Sequence, residues 1–428
     1  MPVFHFMLSF GLLAVLIFWL WRKTVSKDFG NLIFWPALSF KLLCGIVLGW
    51  FYGGGFDTFD YQRYANTLSK LASNNFISYL KLLFFNELPD SVQIKFKPYS
   101  NSFFFTKILS LLNLITDSNY YFNGLFLSFF SFAGCWLLVQ TQAKVFPGTK
   151  KPAVITFLFF PTVIFWNAGV TKESVLMGAL GFFWGLVLQT VYFSGQKLRF
   201  NLVLLIFFSW LLFKIKLFLA LVVFALTLSW LFLKWLRKRF VFFRSNQNFI
   251  GFLGAFIVLA AGATALFLQN FADAFIYRHL VWNYKTLHAK SIGKPVIALN
   301  DLKPELGSVL INIPEALTGA LFRPFFWEGE NLFYRLAGIE NLVIVIIFLG
   351  SLSFWKNWRK LQISGFYGVL IAFILILAVL IGLTTPNLGT LNRYRTIFLP
   401  FLLYLLLQAP FWKRNLDRLS LKFKSRQV

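Results

Sequence analysis

Four short polar runs in an otherwise apolar chain hold the residues best suited to chemistry. The first, Gly53 to Tyr64 (GGGFDTFDYQRY), carries Asp57, Asp60 and Arg63. On a helix Asp57 and Asp60 share a face, with Tyr61 and Tyr64 on the neighbouring one. A carboxylate facing a cavity at a membrane surface can act as a general base or bind a metal ion. The same two residues also suit a helix start, where Asp57 opens the helix and Asp60 sits near its positive end. Arg63 is a candidate ligand for phosphate or sugar. The second run, Phe165 to Ser174, forms a very short turn with Lys172 and Glu173. Charges between two membrane segments are costly and usually face a cavity or a partner. Here they are candidates for binding an anionic substrate. The competing reading is that Thr171 caps the next helix, Glu173 favours its N-terminus and Lys172 snorkels.

The third run, Leu321 to Asn331, contains Arg323-Pro324 and Trp327-Glu328. The residue before proline is pushed to extended backbone, so Arg323 is offered from irregular chain among aromatic residues. That suits a guanidinium gripping phosphate or lying beside a sugar, with Trp327 as a platform and Glu328 as acid or base. An interfacial aromatic belt with one Arg–Glu pair fits equally. The fourth run, Thr384 to Arg395, contains Asn387, Arg393 and Arg395. Two arginines at the start of a membrane helix stand at the wrong end of its dipole. A bound phosphate or pyrophosphate resolves that, because Arg can hold its oxygens bidentately. The alternative is an Arg pair held by acids such as Asp57 or Glu328.

The elements that position these runs follow from composition. Of 428 residues, 58% are hydrophobic and only 13% charged, against about a quarter charged in soluble domains. Apolar stretches of membrane-crossing length recur throughout. In lipid every backbone polar group needs an internal partner, so they are helices; the alternation of a barrel strand is absent. The expected fold is an all-α polytopic helix bundle. Its spans lie near 3–21, 32–52, 120–141, 153–170, 174–194, 200–215, 217–236, 249–270, 338–355, 362–384 and 396–411, about eleven crossings. Phe103 to Ile115 is apolar but short and is placed as a re-entrant or interfacial helix. The N-terminal segment lacks a basic leader and a small-residue cleavage site, so it reads as a first membrane helix.

Lys and Arg total 41 against 15 Asp and Glu, a net charge of +26. Most of that excess is topological, because loops on the inner side collect Lys and Arg. The clusters place the N-terminus outside and the C-terminus inside. Two outer loops result, 53–119 and 271–337, with a basic inner tail at 412–428, all within one integral membrane domain. No soluble basic domain exists to bind nucleic acid. Cys44 and Cys135 lie in apolar segments, and no Cys/His metal pattern occurs. His279 and His288 sit in a solvated basic stretch suited to lipid headgroups. No phosphate-binding Gly-rich loop, nucleophile elbow or dinucleotide fingerprint is present.

The motifs FW-x-x-G-x-x-KE (Phe165–Glu173), R-P-x-x-WE (Arg323–Glu328) and N-x-G-T-x-x-RYR before P-F-L (Asn387–Leu402), with an early outer-loop acid, resemble bacterial multi-spanning polysaccharide-assembly proteins. These are the GT-C-type glycosyltransferases and the O-antigen or exopolysaccharide polymerases. The resemblance implies an inner-membrane enzyme that takes sugar from a polyprenyl-phosphate or polyprenyl-pyrophosphate donor on the outer face. It matches Asp57 or Asp60 to the outer-loop acid, and Arg393 and Arg395 to phosphate-binding arginines. The acid here follows the second span rather than the first, and the long second outer loop is more like a polymerase. A divalent metal is compatible with this chemistry, but no metal ligands are assigned. Cationic and carboxylate groups with aromatic platforms suit sugar transfer from a lipid phosphate. A flippase of lipid-linked sugars is the competing class and calls for more charge at mid-membrane; a non-catalytic envelope scaffold is the third.

Overall fold

The computed structural model describes residues 3–25, 29–53, 57–90, 92–193, 198–240, 276–352 and 365–424. Among them the chain is helical, with no strand beyond a single bridge between Val296 and Asn387. It divides into two compact units, Met1–Ala220 and Leu221–Val428.

The first unit contains α1 (Val3–Thr24), α2 (Asn31–Tyr52), α3 (Asp57–Asn74), α4 (Phe76–Phe85), α5 (Asn101–Thr116), α6 (Tyr120–Val145), α7 (Lys150–Val154), α8 (Pro161–Trp166), α9 (Lys172–Tyr192) and α10 (Leu198–Ile215). α11 (Leu217–Arg239) runs across the boundary. The second unit continues with α12 (Ile276–Ala289), α13 (Leu306–Phe322), α14 (Leu332–Leu352), α15 (Gly365–Thr384), α16 (Leu388–Tyr394), α17 (Leu399–Leu406) and α18 (Pro410–Lys424).

Eight of the described helices are long and apolar enough to cross a membrane: α1, α2, α6, α9, α10, α11, α14 and α15. Their apolar surface is not all used inside the protein. In α6 and α9 78% of the most apolar stretch is buried, but in α1 only 17%. Phe4, Phe10 and Trp19 of α1, and Phe200, Val203 and Ile206 of α10, are exposed. Large apolar residues spread over entire helix faces are what a hydrocarbon solvent tolerates and water does not.

Two expected spans turn out otherwise. The stretch 153–170 is not one helix. It runs through α7 and a π-helical turn at Ile155–Phe159, breaks at extended Phe160, and restarts as α8 with Pro161 at its first position. Proline there has no N–H to continue the ladder and its ring clashes with the preceding turn. The stretch 396–411 is likewise broken, into a 3-10 turn at Arg395–Ile397, then α17 and α18, the last two entered at Pro400 and Pro410. The stretch 249–270, like Gly54 to Phe56, lies outside the described residues. The short segment read as interfacial is α5, whose end receives bonds from α1: His5 Nδ1 and Ser9 Oγ both lie 3.2 Å from the Ile115 carbonyl oxygen.

α6 and α9 form the core of the first unit. Gly134 and Gly178 face each other so closely that a methyl on Gly134 would collide with the Gly178 carbonyl. Small residues allow this backbone contact, the main source of helix attraction where lipid competes for every apolar side chain. Onto that core α3 and α5 are fixed by a buried amide network. Gln62 Nε2 donates to Asn66 Oδ1, Asn113 Oδ1 and the Ser118 carbonyl at 2.8, 2.9 and 3.0 Å. Asn123 Nδ2 donates to Gln62 Oε1 and Asn113 Oδ1, and Thr116 Oγ1 to Asn123 Oδ1. A mutually satisfied network of this kind sets one geometry for α3, α5 and α6.

Candidate functional site

The turn before α9 is built to hold Lys172 in place. Gly169 takes a φ of +65°, open to glycine, and packs on Gly45. Its N–H donates to Ser128 Oγ at 2.8 Å, and Asn167 Nδ2 donates to the Val163 carbonyl at 2.8 Å. Thr171 caps α9: its hydroxyl oxygen accepts the Ser174 N–H at 3.1 Å. Glu173 is 5% exposed, in the first turn of α9, where the helix dipole favours a carboxylate.

So fixed, Lys172 reaches α5 and α3 together. Its Nζ donates to Ser102 Oγ at 2.8 Å and Asn101 Oδ1 at 3.1 Å. It also lies 4.9 Å from the centre of the Tyr61 ring, a cation–π distance. Ser100 caps α5 just upstream, so the ammonium meets the positive end of that helix. Two positive features converge on one place, which favours an anion there.

Tyr61 is one helical turn from Asp57, on the same face of α3. Asp57 is exposed at the first position of the helix. Asp60 is engaged differently: it pairs with Arg63 and with Lys95 at 3.4 Å. Arg63, expected to bind substrate, thus pairs with its own helix and stacks 5.9 Å from Tyr64. Phe96 and Phe105 pack on Tyr61 at 5.1 and 5.2 Å between ring centres. The first two polar runs therefore meet in the first unit.

The third and fourth runs meet in the second. Arg323 Nε and Nη2 donate to Glu328 Oε1 at 2.7 and 2.6 Å. The Phe325 N–H donates to Glu328 Oε2 at 2.7 Å, so both carboxylate oxygens are occupied. Arg323 Nη2 also donates to the Val296 carbonyl at 3.2 Å. Arg395 is 0% exposed. Its Nη1 donates to the Arg323 carbonyl at 3.0 Å and its Nη2 to Asn341 Oδ1. Asn341 Nδ2 in turn donates to the Pro324 carbonyl at 2.6 Å. Burial pulls the Arg395 guanidinium down to about 10, against the raising effect of Glu340, and it stays cationic at neutral pH. This is a brace across α14, the Arg323–Pro324 corner and the entry to α17.

Asn387 caps α16 through Thr390 N–H at 3.0 Å and donates to Ser291 Oγ at 3.1 Å. Arg393 is half-buried and Trp327 is 67% exposed, its ring stacked 4.9 Å from Phe325. Among the described residues no group of three His, Cys, Asp or Glu is placed to hold a metal.

Sequence reasoning missed Asn101, Ser102, Lys95 and Asn341. Asn101 and Ser102 stand beside Ser100, a helix-start signal readable in the sequence. Lys95 and Lys97 are further cations in a loop that the charge pattern assigns to the outer side, the same anomaly that singled out Arg393. Asn341 inside an apolar helix carried no local sign of its partner. Comparison with known proteins returns no match to a protein family, a curated protein or a solved structure.

Proposed function

We propose that the protein is an integral membrane glycosyltransferase or polysaccharide polymerase of the bacterial inner membrane. It takes sugar from a polyprenyl-phosphate or polyprenyl-pyrophosphate donor at the outer face. Its topology is about eleven crossings, N-terminus outside and C-terminus inside, as the basic clusters favour. The observation that carries the reading is Lys172, held over Tyr61 at the start of α5, one turn along α3 from the exposed Asp57.

In this reading Asp57 accepts the proton of the acceptor hydroxyl. The acceptor oxygen attacks the anomeric carbon, and the bond from that carbon to the donor phosphate oxygen breaks. Lys172 and the first N–H groups of α5 take up the charge on the departing phosphate. Phe96, half-buried and packed on Tyr61, supplies an apolar wall against which a sugar face packs.

The test is turnover of a lipid-linked oligosaccharide in vesicles by wild type, Asp57→Asn and Lys172→Ala at equal folded yield. A glycosidic product from wild type, lost in both variants, supports the proposal. Movement of lipid-linked sugar across the bilayer without any glycosidic product rejects it in favour of a flippase. One observation favours that second reading: Lys41, within α2, is only 2% exposed and reaches the Ile164 carbonyl at 3.5 Å.

A further inference from the structure

The chain's last described helix is set apart from the bundle by a break and by its charge. After α17 the backbone turns at Leu407–Ala409, and Pro410 starts α18. Ser351 Oγ of α14 donates to the Leu406 carbonyl at 3.0 Å, which fixes the turn beside the end of that membrane-length helix. Trp412 Nε1 donates to the Ile347 carbonyl at 2.9 Å. Its indole fills the space left by Gly350, where a Cβ would lie 2.6 Å from the ring. The first turn of α18 is thus anchored at the end of α14.

Beyond the anchor, Trp412 and Leu416 stand one helical turn apart, both half-buried, and begin an apolar stripe. Lys413, Arg414 and Arg418 are exposed. Over the whole helix five basic residues, these three with Lys422 and Lys424, stand against a single acid, Asp417. A narrow apolar stripe bordered by cations is the pattern of a helix lying in the plane of a membrane interface. α18 starts where the apolar part of the chain ends, so the anionic surface within immediate reach is the headgroup layer of the chain's own bilayer.

We propose that α18 docks on anionic phospholipid headgroups through Lys413, Arg414 and Arg418, with Trp412 as its pivot on α14. The inference rests on the reading that the chain spans a membrane and is independent of any sugar chemistry.

The full-length protein is placed one copy per nanodisc, in zwitterionic lipid alone or with anionic phosphatidylglycerol added, and amide hydrogen exchange of residues 410–418 is followed. Docking slows exchange there by roughly tenfold in anionic discs. The slowing is lost in high salt and in the triple variant K413Q/R414Q/R418Q, while exchange in α6 and α9 stays unchanged. Equal exchange in both lipids overturns the proposal. So does slowing that survives the triple variant, which assigns the hold to the apolar stripe alone. So does slowing that appears only when two copies share a disc, which assigns the face to a second chain. Resistance of wild type to alkaline carbonate extraction from membranes is measured in parallel; its failure rejects the membrane reading itself.

Discussion

Lys172 in the first unit and Arg395 in the second are each held by a purpose-built stretch of backbone, but to different ends. Lys172 follows a pinched glycine turn, remains half-buried, and donates to Asn101 and Ser102 at the rim of α5. Arg395 has no exposed surface and donates to Asn341 and to the carbonyl beside Pro324. The carboxylates divide in the same way. Asp57 is exposed on α3, while both oxygens of Glu328 are taken by Arg323 and the Phe325 N–H. Lys172 and Asp57 keep surface at the edge of their unit, whereas Arg395 and Glu328 lie inside theirs. A cation that belongs to chemistry must keep some of its hydrogen-bonding capacity for a ligand; one that belongs to the fold has partners supplied by the chain.

The contrast breaks most readily at Arg395. Arg395→Ala strands the Arg323 carbonyl and Asn341 and leaves a cavity, for a loss of about 4 kcal/mol. The outcome to look for is a collapse of folded yield and melting temperature in detergent. If the variant folds as well as wild type and loses only activity, the two regions have been assigned the wrong way round. Lys172→Ala is next: sugar transfer falls by about 100-fold, or about 3 kcal/mol of transition-state stabilisation. Its melting temperature stays within a few degrees of wild type, because neutral Asn101 and Ser102 regain water at the rim. A drop in both quantities together makes Lys172 a second brace.

Glu328→Gln sharpens the picture of the second unit. It removes one charged partner of Arg323 and costs about 2 kcal/mol, read as a lower unfolding temperature. An unchanged unfolding temperature with lost transfer moves Glu328 into the chemistry. The smallest effect belongs to Arg63→Ala. Its pair with Asp60 is exposed, so less than about 1 kcal/mol of stability is at stake, and transfer changes little. A large loss of transfer promotes Arg63 from surface pair to substrate ligand.

The helical class and the positions of eight membrane-length helices were legible from the length and purity of the apolar runs. So was the cap at Thr171, whose signal lies within three residues of its partner. The pairing of the polar runs was not legible. Lys172 meets Ser102 across 70 positions, and Arg395 meets Asn341 across 54. No local pattern encodes contacts at that range. The breaks at Pro161 and Pro400 were visible as prolines, but hydropathy averages over them, and a short interruption leaves the apolar total of a span intact. The arginines of the fourth run stand out in the sequence as cations beside an apolar stretch. The anomaly has a partner inside the chain for Arg395, which composition alone could not distinguish from a ligand.

The glycine contact between α6 and α9 also bears on how the protein is made. α6 leaves the ribosome first, and the surface around Gly134 has no counterpart until Gly178 has been synthesised. Between them comes the broken stretch of α7, the π turn and α8, which packs against α2 and is too interrupted to insert as a simple hydrophobic hairpin. The nascent bundle must therefore keep one helix face waiting in the membrane while an irregular segment is threaded past it. The arrival of α9 then closes the face of α6 around Gly134. Substitutions at Gly134 or Gly178 would register first as a defect in biogenesis, read as a loss of folded protein from the membrane fraction.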